Sequence, residues 1–119
     1  VTDSAALADR LRPILEDAAR RGATLTYLEL ATAAGVGPPR AIHRVTHALE
    51  HLMRADHAAG RPLLAAVVVS AKRGGLPAPG FFRLAAELGL YFGPEHGDQA
   101  ALFHAMELQR ACPSREPPA

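Results

Sequence analysis

A mostly helical α+β domain is what this sequence predicts, on three observations. Apolar residues recur at helical spacing over several stretches. One valine-rich run, Leu63 to Val69, has the length and β-branching of a buried strand. Glycine- and proline-rich breaks separate these stretches. The 119 residues suit a single domain, placed at 1–112, followed by a tail at 113–119 whose composition predicts disorder.

The elements follow in chain order. Residues 3–21 read as a helix capped by Asp3 or Ser4, with Leu7, Leu11, Ile14, Leu15 and Ala18 on one side. Pro13 is expected to kink or split it. Thr24 to Thr26 is a short extended segment. Thr26 then caps a helix from Tyr27 to Ala34, and Glu29 completes a capping box. Gly35-Val36-Gly37-Pro38-Pro39 is a turn. A longer helix is expected from near Pro39 to about His57, with Ile42, Val45, Leu49, Leu52 and Met53 as its apolar stripe.

After the strand at 63–69 comes a loop, 71–80, with three glycines, two prolines and a basic pair at its start. Phe81 to Leu88 returns to helical spacing. Asp98 is expected to cap a last helix reaching about Ala111, whose apolar positions are Leu102, Phe103, Met106 and Leu108. Short helix, glycine turn and longer helix make a helix-turn-helix pattern. With the strand and loop added, the order is that of a winged helix-turn-helix, with a small two- to three-stranded sheet and an extra C-terminal helix. The 71–80 loop would be the wing.

Composition narrows the functional classes. Hydrophobic residues make up 49% and charged residues 21%, ordinary values for a globular domain. The net charge of +1 excludes a grossly basic tail and an acidic mimic of nucleic acid. A lone cysteine excludes an internal disulfide and a cysteine-based zinc site. The longest apolar run falls far short of the ~20 residues of a membrane span. The opening VTDSAALADR lacks the basic-then-apolar order of a signal peptide. The expectation is a soluble cytoplasmic protein without a membrane partner. Charge is uneven, however: residues 61–83 hold four basic groups and no acid, which points to an anionic partner.

The exposed side of the 39–57 helix carries His43, Arg44, His47, His51 and Arg54, with Arg40 at its start. Arginine and histidine donate to phosphates and base edges, and the first turns of a recognition helix enter the groove. Lys72 and Arg73 would hold flanking phosphates from the wing. The competing reading is a merely solvated face. Tyr27, at a helix N-terminus that attracts phosphate, serves equally as a phosphate contact or as a half-buried packing residue. His43, His47 and His51 fall at i, i+4, i+8, but three imidazoles on one straight helix cannot close a tetrahedron unaided, so no metal is expected. No nucleophile elbow, P-loop or dinucleotide fingerprint occurs, and Cys112 reads as a bystander thiol; no catalysis and no cofactor are expected. Phe81 and Phe82 read as core or wing anchors.

Thr26-Tyr27-Leu28-Glu29-Leu30-Ala31, the glycine turn and Pro39-Arg40-Ala41-Ile42 resemble the DNA-binding winged helix of the O6-alkylguanine-DNA alkyltransferase and alkyltransferase-like family. The resemblance covers roughly residues 24–83. It implies that Arg40 intercalates to extrude a base through the minor groove, and that Tyr27 sits against a backbone phosphate. Gly80-Phe81 is similar to the Gly-Tyr/Phe that follows the family's active-site loop. The family's Pro-Cys-His-Arg-Val motif has no counterpart: the strand reads Ala66-Val67-Val68-Val69-Ser70. Alkyl transfer is therefore not implied.

The expected function is non-enzymatic binding of double-stranded DNA by Tyr27, Arg40, His43, Arg44, His47, Lys72 and Arg73. About five or six cationic contacts would make affinity steeply salt-dependent. The alternative is a protein-interaction or accessory module, a homodimer included, that uses the apolar strand and the Phe81-Phe82 pair.

Overall fold

A computed structural model describes residues 3–113. Its helices are α1 (Asp3–Arg20), α2 (Tyr27–Ala33), α3 (Ala41–Ala58), α4 (Pro79–Glu87) and α5 (Gly97–Ala111), and its strands are β1 (Leu25–Thr26) and β2 (Val68–Val69). The tail expected to be disordered lies, beyond Pro113, outside the described residues. The mostly helical α+β expectation holds.

Helix α1 packs chiefly on α3. Its buried stripe is Leu7, Ala8, Leu11, Leu15, Ala18 and Ala19. Pro13 neither splits nor ends the helix. Pro13 and Asp9 are both exposed, so the Asp9 carbonyl that loses its helical partner faces water. Helix α3 turns Val45, Ala48, Leu49, Leu52 and Met53 inward. Ile42, expected in that stripe, is 44% exposed instead.

Residues 63–69 correct the sequence reading. Only Val68 and Val69 are strand; Leu64–Val67 form a 3-10 turn. Leu63, Ala65, Ala66, Val67 and Val68 are all buried, so the run is buried as expected but without a sheet to carry it. Side chains satisfy its backbone instead: the Leu64 amide donates to Asp56, and His104 Nε2 donates to the Ala66 carbonyl at 2.8 Å. β2 pairs in parallel with β1, Leu25 opposite Val68 and Thr26 opposite Val69.

The 71–80 loop is likewise not a β-hairpin. Ala71–Arg73 form a 3-10 turn, Gly74 and Gly75 follow with φ of 64° and 88°, and the Ser70 amide closes the loop on the Leu76 carbonyl. Among the described residues no strand returns along β2; the chain enters α4 at Pro79. The two glycines supply left-handed backbone that folds the segment into a knot of turns before it can extend.

Phe81 and Phe82 are core, as expected. They join Tyr91 and Phe103 in an aromatic cluster in which Tyr91 and Phe103 stack at 4.7 Å. α5 is not capped by Asp98: the N-cap is His96, without a side-chain hydrogen bond. Its inward face is Ala100, His104, Glu107 and Leu108, whereas Leu102 and Met106 are exposed. This rotation brings His104 to the Ala66 carbonyl and turns two of the four expected apolar positions to solvent.

Asp56, 1% exposed, ties three elements together. Arg12 of α1 and Arg61 reach its carboxylate at 3.0 and 3.1 Å, and the Leu64 amide donates to it at 3.2 Å. No described helix is long and apolar enough to cross a membrane.

Candidate nucleic-acid interface

The site begins with the capping box that the sequence announces. Thr26 Oγ1 accepts from the Glu29 amide at 3.1 Å, and the Glu29 carboxylate accepts from the Thr26 amide at 2.8 Å. This fixes Tyr27 as the first residue of α2 and turns Leu28 out to solvent, 65% exposed. Tyr27 is half-buried and its hydroxyl accepts from the Ala78 amide at 2.9 Å. Burial pushes its phenol above the ordinary value of 10.0, opposed by the Ala78 bond and by Arg73. This half-burial fits the packing reading of Tyr27, while its O–H remains a donor and the residue lines the groove beside the 70–72 segment.

The turn between α2 and α3 is held from two sides. Val36 donates to the Ala31 carbonyl, and Arg10 of α1 donates to the Ala34 carbonyl. The turn delays α3: it starts at Ala41 rather than near Pro39, with Arg40 as its N-cap at φ 59°, ψ 36°. Arg40 is the one non-glycine among the described residues with positive φ. A left-handed conformation costs a side-chain-bearing residue roughly 1–2 kcal/mol. The Arg40 side chain is exposed and makes no cap hydrogen bond.

The next turns of α3 expose His43 and His47, whose rings meet edge-on at 4.4 Å. Partial desolvation, then Arg40 and His47, hold the His43 imidazole below its ordinary 6.5, with Glu50 opposing. Arg44 faces elsewhere, its Nε 3.8 Å from the Asp3 carboxylate of α1. His51 is exposed, and Arg54 pairs with Glu87 at 2.8 Å.

Between the N-terminal ends of α2 and α3 and the 70–72 segment lies a groove of about 430 Å³. Leu28, Ile42 and Val69 give it apolar walls, Thr46 also lines it, and Lys72 stands across from α3. Lys72 is exposed. Arg73 is not an outward cation: its Nε donates to the Pro77 carbonyl at 2.9 Å and its Nη2 to the Glu95 carbonyl. It locks the loop it was expected to arm.

Of the seven residues expected at the site, Tyr27 and Lys72 line this groove. Arg40, His43 and His47 are exposed on the first turns of α3 but are not among its lining residues. Arg44 faces Asp3, and Arg73 is bonded within its own loop. The apolar walls went unread in the sequence. Their signal was available in Leu28, which stands outside the helical stripe that buries Leu30 and Ala31. No protein-family model, curated protein or solved structure matches this chain.

Proposed function

We propose that this chain is a non-enzymatic protein that binds double-stranded DNA through the first turns of α3, with the 71–80 loop in the place of a wing. The observation that carries the reading is Arg40, exposed at the head of α3 in a left-handed backbone conformation, its side chain making no cap hydrogen bond. Strain of this kind gathers where a side chain must be aimed. His43 and His47 extend the donor surface along α3, and Lys72 supplies a phosphate contact from across the groove. The likeness of 24–83 to the alkyltransferase-like winged helix agrees with this assignment of Arg40.

The count of permanent cations is smaller than the sequence suggested. Arg73 is committed within the chain and Arg44 faces Asp3 of α1, leaving Arg40 and Lys72, with His43 joining on protonation. The slope of log affinity against log salt should then be about −2 at neutral pH rather than −5. A gel shift on duplex DNA across a salt series tests the reading. Salt-dependent retardation, weakened at least about tenfold by Arg40→Ala, supports it; no shift at low salt, or a shift indifferent to Arg40→Ala, refutes it.

The interaction-module alternative loses the surface first suggested for it, because Phe81, Phe82 and most of 63–69 are buried. Outside the groove, the large exposed apolar side chains are Phe92, Leu102 and Met106.

A further inference from the structure

Four exposed residues of α5 fall at i, i+4 spacing: Asp98, Leu102, Met106 and Arg110. Leu102 and Met106 are 55% and 54% exposed, and the Arg110 side chain is 52% exposed. The row reads anion, apolar, apolar, cation. Residues four apart form a ridge inclined to the helix axis, and two such ridges interdigitate when helices cross at about −50°.

We propose that α5 is a self-association surface, pairing with α5 of a second copy about a two-fold axis between Leu102 and Met106. Two-fold symmetry demands a patch complementary to itself, and this row is its own complement when reversed. Antiparallel packing sets Leu102 against the partner's Met106 and Asp98 against the partner's Arg110, each contact made twice. Parallel packing would oppose aspartate to aspartate and arginine to arginine, which like-charge repulsion disfavours. Arg110 Nη1 is held by Glu107 of its own helix at 2.9 Å. That bond anchors the guanidinium at the end of the row and leaves other N–H groups of the fork for a partner carboxylate. A contact made by one helix from each copy lies at the small end of interface sizes, so the dimer is weak and forms at high protein concentration. No residue of α5 lines the groove, and the pairing stands or falls apart from DNA binding.

Sedimentation equilibrium on the whole chain over a wide concentration range tests this. The wild type is expected to follow a monomer–dimer equilibrium. Leu102→Glu alone and Met106→Lys alone should each weaken the dimer about tenfold or more, while circular dichroism shows both still folded, since exposed substitutions barely touch stability. The double variant Leu102→Glu with Met106→Lys should associate more tightly than either single variant, because each new carboxylate meets the partner's new ammonium. A wild type that stays monomeric, single variants that dimerise unchanged, or a double variant no tighter than the singles would each overturn the antiparallel pairing.

Discussion

The Tyr27 hydroxyl accepts a 2.9 Å hydrogen bond from the Ala78 amide, joining the first turn of α2 to the residue that precedes α4. It spans 51 positions of sequence and fixes the end of the 71–80 loop beside the groove. Tyr27→Phe leaves the Ala78 amide without that acceptor and should cost about 1–2 kcal/mol in urea unfolding. Burial raises the folded phenol above its ordinary 10.0, so the folded state holds this proton more tightly than the unfolded chain. The associated stability is intact below about pH 10 and is lost as pH rises through the folded value. Urea titrations from about pH 8 to about pH 11 should show that decline in the wild type and a shallower one in Tyr27→Phe.

Arg40 offers a separation of stability from binding. Glycine tolerates positive φ at no steric cost, which offsets its greater chain entropy. Arg40→Gly should therefore be as stable as the wild type, or up to about 1 kcal/mol more stable. The same substitution should weaken duplex binding at least as much as Arg40→Ala. A marked loss of stability would show that the side chain itself supports the turn.

His43 sets the pH dependence. Its folded value lies below 6.5, through partial desolvation and then the neighbouring Arg40 and His47, so it is neutral in the free protein at pH 7. The stability tied to its neutral form is present above about pH 6.5 and is lost as pH falls through the folded value. DNA phosphates favour the imidazolium, so binding takes up protons and tightens with acid. The salt slope should steepen from about −2 toward −3 as the pH is lowered from about 7.5 and His43 charges. In His43→Gln, the slope should respond less to pH than in the wild type.

Lys72 and Arg73 are adjacent in sequence and should behave oppositely. Lys72→Ala removes an exposed cation and should lower the salt slope by about one while leaving the unfolding midpoint unchanged. Arg73→Ala unpins the Pro77 and Glu95 carbonyls and should cost about 1–2 kcal/mol of stability. A gel-shift salt series and urea unfolding on both variants distinguish the roles.

What could be read from the sequence was local. The Thr26–Glu29 box, the glycine turn and the period of α3 depend on neighbours within a few residues, and each was found. The 63–69 run was misread because valine content cannot reveal whether a strand or side chains satisfy a buried backbone; here Asp56 and His104 do so from distant elements. The orientation of α5 was missed for the same reason. At the site, Arg40, His43, His47 and Lys72 were legible as exposed positions with hydrogen-bond donors. The turning of Arg44 toward Asp3 and the capture of Arg73 by two carbonyls were not, since those partners lie far along the chain or in the backbone.

Asp56 is the corresponding test of the core. Its carboxylate is almost fully buried and serves two arginines and one amide. Removing one member of a buried ionic cluster costs more than the cluster contributes, because the survivors lose their partner. Asp56→Ala should cost about 3–5 kcal/mol, since it orphans the Leu64 amide as well. Asp56→Asn retains an oxygen for that amide, and water can reach Arg12 and Arg61, whose side chains are 26% and 52% exposed. Its cost should be nearer 2 kcal/mol. Arg61→Ala removes the more solvated partner and should cost about 0.5–1 kcal/mol. Urea midpoints falling in the order Arg61→Ala, Asp56→Asn, Asp56→Ala would place the stabilisation in the carboxylate's hydrogen bonds. Equal losses for Asp56→Asn and Asp56→Ala would place it in charge alone.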